Sequence, residues 1–335
     1  MRKILLPLSL VFLILIVSGC STKREYFEPL NPAGKIRYDG SLPDKIIDAS
    51  RNGATLQNGQ VITSTGLQSV QLPEGFLFVN SENDRYIGVN ACGGLIIVDA
   101  NGTRLYEKKF DSTVASANIK DNILALVFAD NSLAIVDILS TKELFSLRGD
   151  MVYAHDSKIA LPYFLKGLVV FPTLDGKIII VDTNTHQVVR DIVVKSEKFF
   201  SNIIYLDVLD DRLVAATKNR VISINPTSMA YLDEEIKDVI ILKDRVLIFT
   251  KDGKILLTNA DLKVLKERKF KFAVFAGMIY GEFIYVVERG GYLIATDLDL
   301  VSVNIYELPD AIDTFLFTTK DQFFYGDKYF KLAKK

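Results

Sequence analysis

The chain has 335 residues, of which 49% are hydrophobic, so it contains enough apolar material for one large domain or two ordinary ones. Its 40 basic and 41 acidic residues give a formal net charge of −1. Because binding to nucleic-acid phosphates needs clustered lysines and arginines, this balance argues against nucleic acid as a partner.

The amino terminus has the organisation of a secretory signal. Met1–Lys3 is positively charged, Ile4–Val17 is almost entirely apolar, and small residues lead to Cys20. The apolar run is about 14 residues long, shorter than the roughly 20 that a spanning helix needs, so a transmembrane anchor is the weaker interpretation. Val17-Ser-Gly-Cys20 resembles the lipobox of bacterial lipoproteins, which implies cleavage before Cys20 and acylation of that residue. An ordinary secretory signal with an incidental cysteine is the alternative.

These features divide the chain into three parts. Residues 1–19 are the predicted lipoprotein signal peptide, residues 20–40 are the lipidated cysteine and a tether, and residues 41–335 are the folded domain. A serine after the lipid-bearing Cys20 indicates the outer membrane by the sorting convention of enteric bacteria. The domain is then expected to face the periplasm, with its partners among the envelope proteins.

A short pattern recurs along the folded part of the chain. A polar or glycine-containing turn opens into a run of apolar β-formers, which closes on a polar residue; Asp175–Asp182 is the clearest copy. The copies end at Ser64, Asp99, Asp137, Asp182, Asn225, Asn259, Asp297 and Ala333. A period of about 40 residues with several short strands per unit is typical of a β-propeller with one four-stranded blade per unit. Eight copies predict eight blades; seven fit if the weak copy ending at Ser64 is not a full blade.

The character of the strands supports an all-β fold. The apolar runs are continuous, as expected for strands buried on both faces between neighbouring blades. Beyond the signal segment, no capped helix with a 3.6-residue period is found, which excludes parallel sheets with crossover helices. The last unit is one strand short, and Lys35–Asp39 is a candidate for the missing outer strand that would close the ring.

The repeats resemble those of quinoprotein-type (PQQ-like) propellers. Asp182–Val189 and Asp137–Leu144 match the step that follows the closing acid in that repeat. A lipobox followed by one such propeller resembles the BamB-like lipoproteins of the outer-membrane β-barrel assembly machine. The resemblance implies a lipid-anchored periplasmic scaffold, with the barrel-assembly machine as its candidate partner.

Candidates for catalysis or metal binding are few. Quinone-dependent enzymes with this type of propeller use a tryptophan that stacks on the cofactor, and this chain has no tryptophan. Its two histidines, His155 and His186, are scattered and have no cysteine cluster beside them, so no metal site or cofactor is predicted. Asp210-Asp211 and Asp297–Asp299 could be paired acids or calcium ligands, but turn-forming aspartates at strand ends are the favoured interpretation. We therefore predict that the chain is not an enzyme.

The two longest repeat units carry the candidate partner-binding residues. Their extra length falls near residues 148–166 and 195–211, and loops on a rigid scaffold are where binding residues collect. The candidates are five aromatic residues: Tyr153, Tyr163, Phe164, Phe199 and Phe200. Packing of these rings between blades is the alternative.

The sequence thus supports two functional hypotheses. The first is a non-enzymatic scaffold that docks an envelope protein on one face or on its rim. The second is a propeller that binds a small ligand or glycan, or an enzyme with acids in its central channel. A basic run from Lys263 to Lys271, interleaved with apolar residues, is predicted to be a solvated outer strand or a patch for anionic lipid or an acidic partner.

Overall fold

The computed structural model describes residues 25–150, 152, 158–195 and 202–332. This part of the chain contains 33 β-strands and no helix, which confirms the all-β prediction. None of its elements is a helix that could cross a membrane. The predicted signal peptide and Cys20 lie outside the described residues.

The strands, numbered along the chain, fall into eight sheets in the described residues, each a blade of a propeller. Two short strands precede the first blade: β1 (Gly34–Lys35) and β2 (Gly40–Ser41). Blades 1 to 4 comprise β3 (Ile46–Ala49), β4 (Ala54–Leu56), β5 (Gln60–Thr63) and β6 (Gly66–Gln71); β7 (Leu77–Glu82), β8 (Arg85–Val89), β9 (Gly94–Asp99) and β10 (Arg104–Lys109); β11 (Val114–Lys120), β12 (Ile123–Phe128), β13 (Leu133–Asp137) and β14 (Glu143–Leu147); and β15 (Tyr163–Leu165), β16 (Leu168–Pro172), β17 (Lys177–Asp182) and β18 (Val188–Val193).

Blades 5 to 8 complete the ring of eight that the repeats predicted. They comprise β19 (Tyr205–Leu209), β20 (Arg212–Thr217), β21 (Arg220–Ile224) and β22 (Met229–Leu232); β23 (Ile236–Ile241), β24 (Arg245–Thr250), β25 (Lys254–Asn259) and β26 (Val264–Lys269); β27 (Phe275–Tyr280), β28 (Ile284–Glu288), β29 (Tyr292–Thr296) and β30 (Val303–Glu307); and β31 (Leu316–Thr318), β32 (Gln322–Tyr325) and β33 (Lys328–Lys331). The first strands of most neighbouring blades contact one another, as β7 does β11 and β23 does β27, and they surround the central channel, whereas the fourth strands form the rim.

The core lies between the blades. In β12, Leu124 and Leu126 pack towards blade 2, whereas Ala125 and Val127 pack towards blade 4, and all four side chains are fully buried. Burying a side chain of this kind contributes about 1–3 kcal/mol, so the interfaces between blades hold most of the hydrophobic free energy. This two-sided burial explains why the strands are continuously apolar.

Turn chemistry explains the polar ends of the repeated pattern. Thr173 donates its hydroxyl to the carboxylate of Asp175 (2.5 Å), and Gly176 has a φ of 83°, which strongly favours glycine. At the next turn, Asp182 accepts hydrogen bonds from the backbone N–H groups of Asn184 and Thr185. Asp297 accepts two such bonds in blade 7. The recurring acids therefore serve as turn formers.

The amino-terminal segment closes the ring. β2 pairs antiparallel with β33 and supplies the outer strand that blade 8 lacks. β1 pairs in parallel with β30 and adds a fifth strand to blade 7. The predicted closing strand, Lys35–Asp39, therefore begins at the end of β1 and stops just before β2. The strand that completes blade 8 starts at Gly40, one residue after the predicted strand ends.

Candidate functional site

The turn between β3 and β4 has four residues, more than the equivalent turn of any other described blade, and it lies within the ring. Ala49 pairs with Ala54, and the backbone N–H of Ser50 donates to the carbonyl of Gly53 (2.8 Å), so blade 1 turns back early. A Cβ at Gly53 would lie 2.3 Å from both the carbonyl oxygen of Ile62 and the ring of Phe78. Only glycine fits here, and this close approach holds the turn inwards.

Arg51 extends from this turn across the channel to the opposite side of the ring. Its Nε donates to the backbone carbonyl of Ile204 in front of blade 5 (2.9 Å), and its guanidinium lies 4.8 Å from the centre of the Tyr205 ring. The same guanidinium forms an ion pair with Asp238 on β23 of blade 6. One side chain thus connects blade 1 with blades 5 and 6.

A second cation completes this arrangement. Lys158, just ahead of β15, donates its ammonium to the other carboxylate oxygen of Asp238 (2.5 Å). Asn202, just ahead of β19, donates to the backbone carbonyl of Lys158 (3.0 Å). We call Arg51, Asp238 and Lys158 the channel triad.

Charge compensation sets the ionisation of the triad. Burial would raise the pKa of Asp238, but the positive charges of Arg51 and Lys158 and their hydrogen bonds hold that pKa well below its usual range. The three side chains are 14–26% exposed, so solvent screens them only in part. The carboxylate is therefore ionised and paired at neutral pH.

Two further carboxylates on inner strands have a different environment. Burial raises the pKa of Asp48, and burial also raises the pKa of Asp207 despite hydrogen bonds from Val208 and Tyr205. The Tyr205 hydroxyl donates to Asp207 over 3.4 Å. In the described part of the chain, no three His, Cys, Asp or Glu side chains come together in a way that could hold a metal ion.

The structure describes two of the six predicted site residues. Tyr163 and Phe164 begin β15 and are only partly buried; Tyr163 packs against the cluster between blades 4 and 5, and Phe164 against that between blades 3 and 4. Burial and the charge of Asp207 raise the pKa of Tyr163. Cys20, Tyr153, Phe199 and Phe200 lie outside the described residues.

The two long connections nevertheless lead to the channel triad. Residues 153–157 directly precede Lys158, and residues 196–201 directly precede Asn202. The sequence analysis selected these connections but missed Arg51 and Asp238. The available signal was the polar turn Ser50–Gly53, which contains Arg51 and is longer than the equivalent turns of the other described blades.

A separate groove lies where blades 7, 8 and 1 meet. It consists of two clefts of about 490 and 410 Å³ that share Glu282, Tyr285 and Leu332. Phe283 packs edge-to-face on Tyr285, with ring centres 6.1 Å apart. This groove is a second candidate site, of a size that could hold a small ligand.

Comparison with known proteins adds sequence relatives and structural neighbours. No protein-family model matches the chain. Plasminogen-binding protein PgbB of Helicobacter pylori strain J99 is 30% identical over 382 aligned residues, which cover 95% of this chain and 70% of that protein. The PgbB of strain 26695 is 28% identical, with 96% and 70% covered.

Among solved structures, BamB from Moraxella catarrhalis is similar, with a TM-score of 0.62 and 18% identity, covering 89% of this chain and 99% of that one. The carboxy-terminal WD40 domain of Sif2 has a TM-score of 0.67 and 13% identity, covering 90% and 99%. At these identities the likeness shows the fold alone.

Proposed function

This chain belongs to the family of the plasminogen-binding protein PgbB of Helicobacter pylori, and on that premise we propose that it is a protein-binding propeller of the bacterial envelope whose ligand is plasminogen. The alignment covers nearly the whole chain and 70% of the relatives, and the proposal places the binding surface on this shared part, the propeller. Catalysis forms no part of the proposal.

The channel triad is the observation that favours docking on a face over chemistry in the channel. Arg51 crosses the channel and, with Lys158, neutralises Asp238, so this inner-strand acid is not available to bind a cation there. A partner protein would instead meet the propeller face beside the triad. The two long connections directly precede Lys158 and Asn202 in the sequence and carry the candidate residues Tyr153, Phe199 and Phe200, which the proposal places at that face.

The direct test is binding of purified plasminogen to the chain from Ser21 onwards, immobilised through an added tag and followed by biolayer interferometry. The triple variant Tyr153→Ser/Phe199→Ser/Phe200→Ser is expected to weaken binding at least about tenfold, as expected when interface anchors are removed. Leu139→Ser is the matched control, because Leu139 is 74% exposed on a turn of blade 3. Absence of plasminogen binding by the unmodified chain would overturn the assignment.

The anchor and compartment form a second part of the proposal. We propose that Cys20 is acylated and that it anchors the propeller at the outer membrane. More than one acyl chain makes such anchoring stable. Mass spectrometry of the purified native protein is expected to find acylated Cys20 as its first residue, and a chain retaining Met1 would contradict this.

A role in outer-membrane protein assembly is an alternative partner assignment. Its support is the single-propeller layout shared with BamB-like lipoproteins. Pull-down from crosslinked envelopes separates the two: recovery of the central barrel-assembly protein supports the assembly role. A preparation without any protein partner would favour a small ligand or glycan in the groove between blades 7 and 8.

A further inference from the structure

The outer strand of blade 6 differs from every other strand that the structure describes. All six residues of β26, Val264–Lys269, are exposed, and no other described strand of more than two residues shares this pattern. From Lys263 to Lys271 the chain has five cations and one acid, Glu267, a local net charge of +4. We call this segment the basic rim.

Internal ion pairs offset only part of this charge. Lys269 pairs with Asp252 at 2.7 Å, and Lys266 approaches Asp299 at 3.8 Å. Within the described residues, Lys263, Arg268 and Lys271 form no ion pair. These three exposed cations remain available to an anionic partner.

Apolar side chains project beside these cations. Leu265, Phe272 and Val274 are 47%, 40% and 47% exposed. Phe272 has a φ of 65°, a left-handed conformation that is costly for a bulky residue, and the Lys271 ammonium lies 4.7 Å from its ring centre. A strained, exposed aromatic ring next to cations is expected where the ring itself is used in binding.

The amino-terminal segment reaches the propeller beside this surface. The Phe27 ring packs edge-to-face on Phe270 (6.4 Å) and on Tyr292 (5.6 Å), and the Arg268 guanidinium lies 6.0 Å from the Phe270 ring. Next to Phe27, Tyr26 is 68% exposed. Phe27 is the seventh residue after Cys20, so an extended chain places them at most about 25 Å apart.

We propose that the basic rim, together with Phe272 and Val274, rests on anionic phospholipid of the membrane that holds the lipid anchor, and so orients the propeller. This inference rests on the proposed acylation of Cys20. Lysines and arginines near an anionic surface attract its headgroups, while the apolar side chains enter the interface. An acyl anchor and a basic patch together hold a protein more firmly than either does alone.

The test uses the chain from Ser21 onwards, which contains all eight blades and both closing strands but carries no lipid. It is expected to co-sediment with vesicles containing about 30% phosphatidylglycerol and not with pure phosphatidylcholine vesicles. Binding should be lost in about 0.5 M sodium chloride, where charges are screened. Acylation of Cys20 is measured separately, so failure of the anchor and failure of this inference can be distinguished.

Two variants identify the surface. Lys263→Gln/Arg268→Gln/Lys271→Gln is expected to weaken vesicle binding at least about tenfold. Lys120→Gln/Lys142→Gln/Lys166→Gln removes the same charge from exposed positions on blades 3 and 4 and should leave binding unchanged. Equal vesicle binding by the two variants would overturn the proposal. It would also be overturned if the basic-rim variant bound vesicles normally and failed only to recover an acidic protein partner.

The apolar contribution is tested at Phe272. Phe272→Asn should weaken vesicle binding several-fold, and because asparagine tolerates the left-handed conformation, the variant should be at least as stable as the parent chain. Unchanged vesicle binding by this folded variant would exclude insertion of the ring.

Discussion

Arg51 and Asp238 are 187 residues apart in the chain and lie on blades 1 and 6, and their side chains form an ion pair inside the central channel. The pair connects the beginning of the ring to its far side. Together with the pairing of β2 and β33, it means that residues near the amino terminus hold the propeller both across its centre and at its closing blade.

The first prediction concerns Arg51. Arg51→Gln leaves Asp238 with Lys158 as its remaining cation, and breaking a largely buried pair costs about 3 kcal/mol of unfolding free energy. Urea denaturation measures the change. Arg104→Gln is the control: the Arg104–Glu107 pair is more than half exposed, so its loss should cost less than about 1 kcal/mol. Equal losses of unfolding free energy in the two variants would show that the channel pair stabilises the fold no more than an exposed pair does.

The second prediction concerns pH. Because the pKa of Asp238 is lowered on folding, its ionised form stabilises the native state above the unfolded pKa of about 3.9, and this contribution is lost as pH falls through the lower native pKa. Asp238→Asn should therefore reduce stability at pH 7 and flatten its dependence on pH below 4.

Asp207 should behave in the opposite way. Burial raises its pKa, so folding favours the protonated form, and the cost of ionisation is fully present above the native pKa. Asp207→Asn is expected to raise the denaturation midpoint at pH 7 and to have less effect at pH 4. A loss of stability at pH 7 would mean that the Asp207 carboxylate makes a stronger favourable contact than Tyr205 and Val208 provide.

The fourth prediction concerns Gly53. Gly53→Ala forces a Cβ against the backbone of Ile62, so it should cost about 2 kcal/mol or more through overpacking and move Arg51 away from Asp238. In Gly281→Ala the new Cβ meets its nearest neighbour, the carbonyl of Lys320, at 3.9 Å, so this control should be neutral or stabilising by up to about 1 kcal/mol. Thermal denaturation of both variants is the measurement.

The fifth prediction concerns ring closure. A chain that starts at Leu42 lacks β1 and β2, which leaves the backbone of β33 unpaired at the edge of blade 8. Exposed strand edges pair with other chains, so this chain should melt at a lower temperature and self-associate in size-exclusion chromatography. A chain that starts at Gly34 keeps both strands and should stay monomeric; identical behaviour of the two would show that β33 needs no cover.

The sequence by itself determined the blades. The Asp-Gly turns, the closing acids and the apolar runs act within a few residues of one another, so local backbone preferences and burial on two faces suffice to specify each hairpin and its repetition. The candidate long connections were also visible as extra length in two repeats.

Only the tertiary structure decided what occupies the centre and where the ring closes. In the sequence, Arg51 looks like an ordinary turn residue, and only the closed ring shows that the β3–β4 turn places it inside the channel. In the sequence, Asp238 is one of two charged residues in an otherwise apolar strand, and only the structure shows that Arg51 and Lys158 reach it from two other blades. Such contacts depend on the shape of the closed ring rather than on the sequence neighbours of each side chain. For that physical reason no local sequence pattern predicts them.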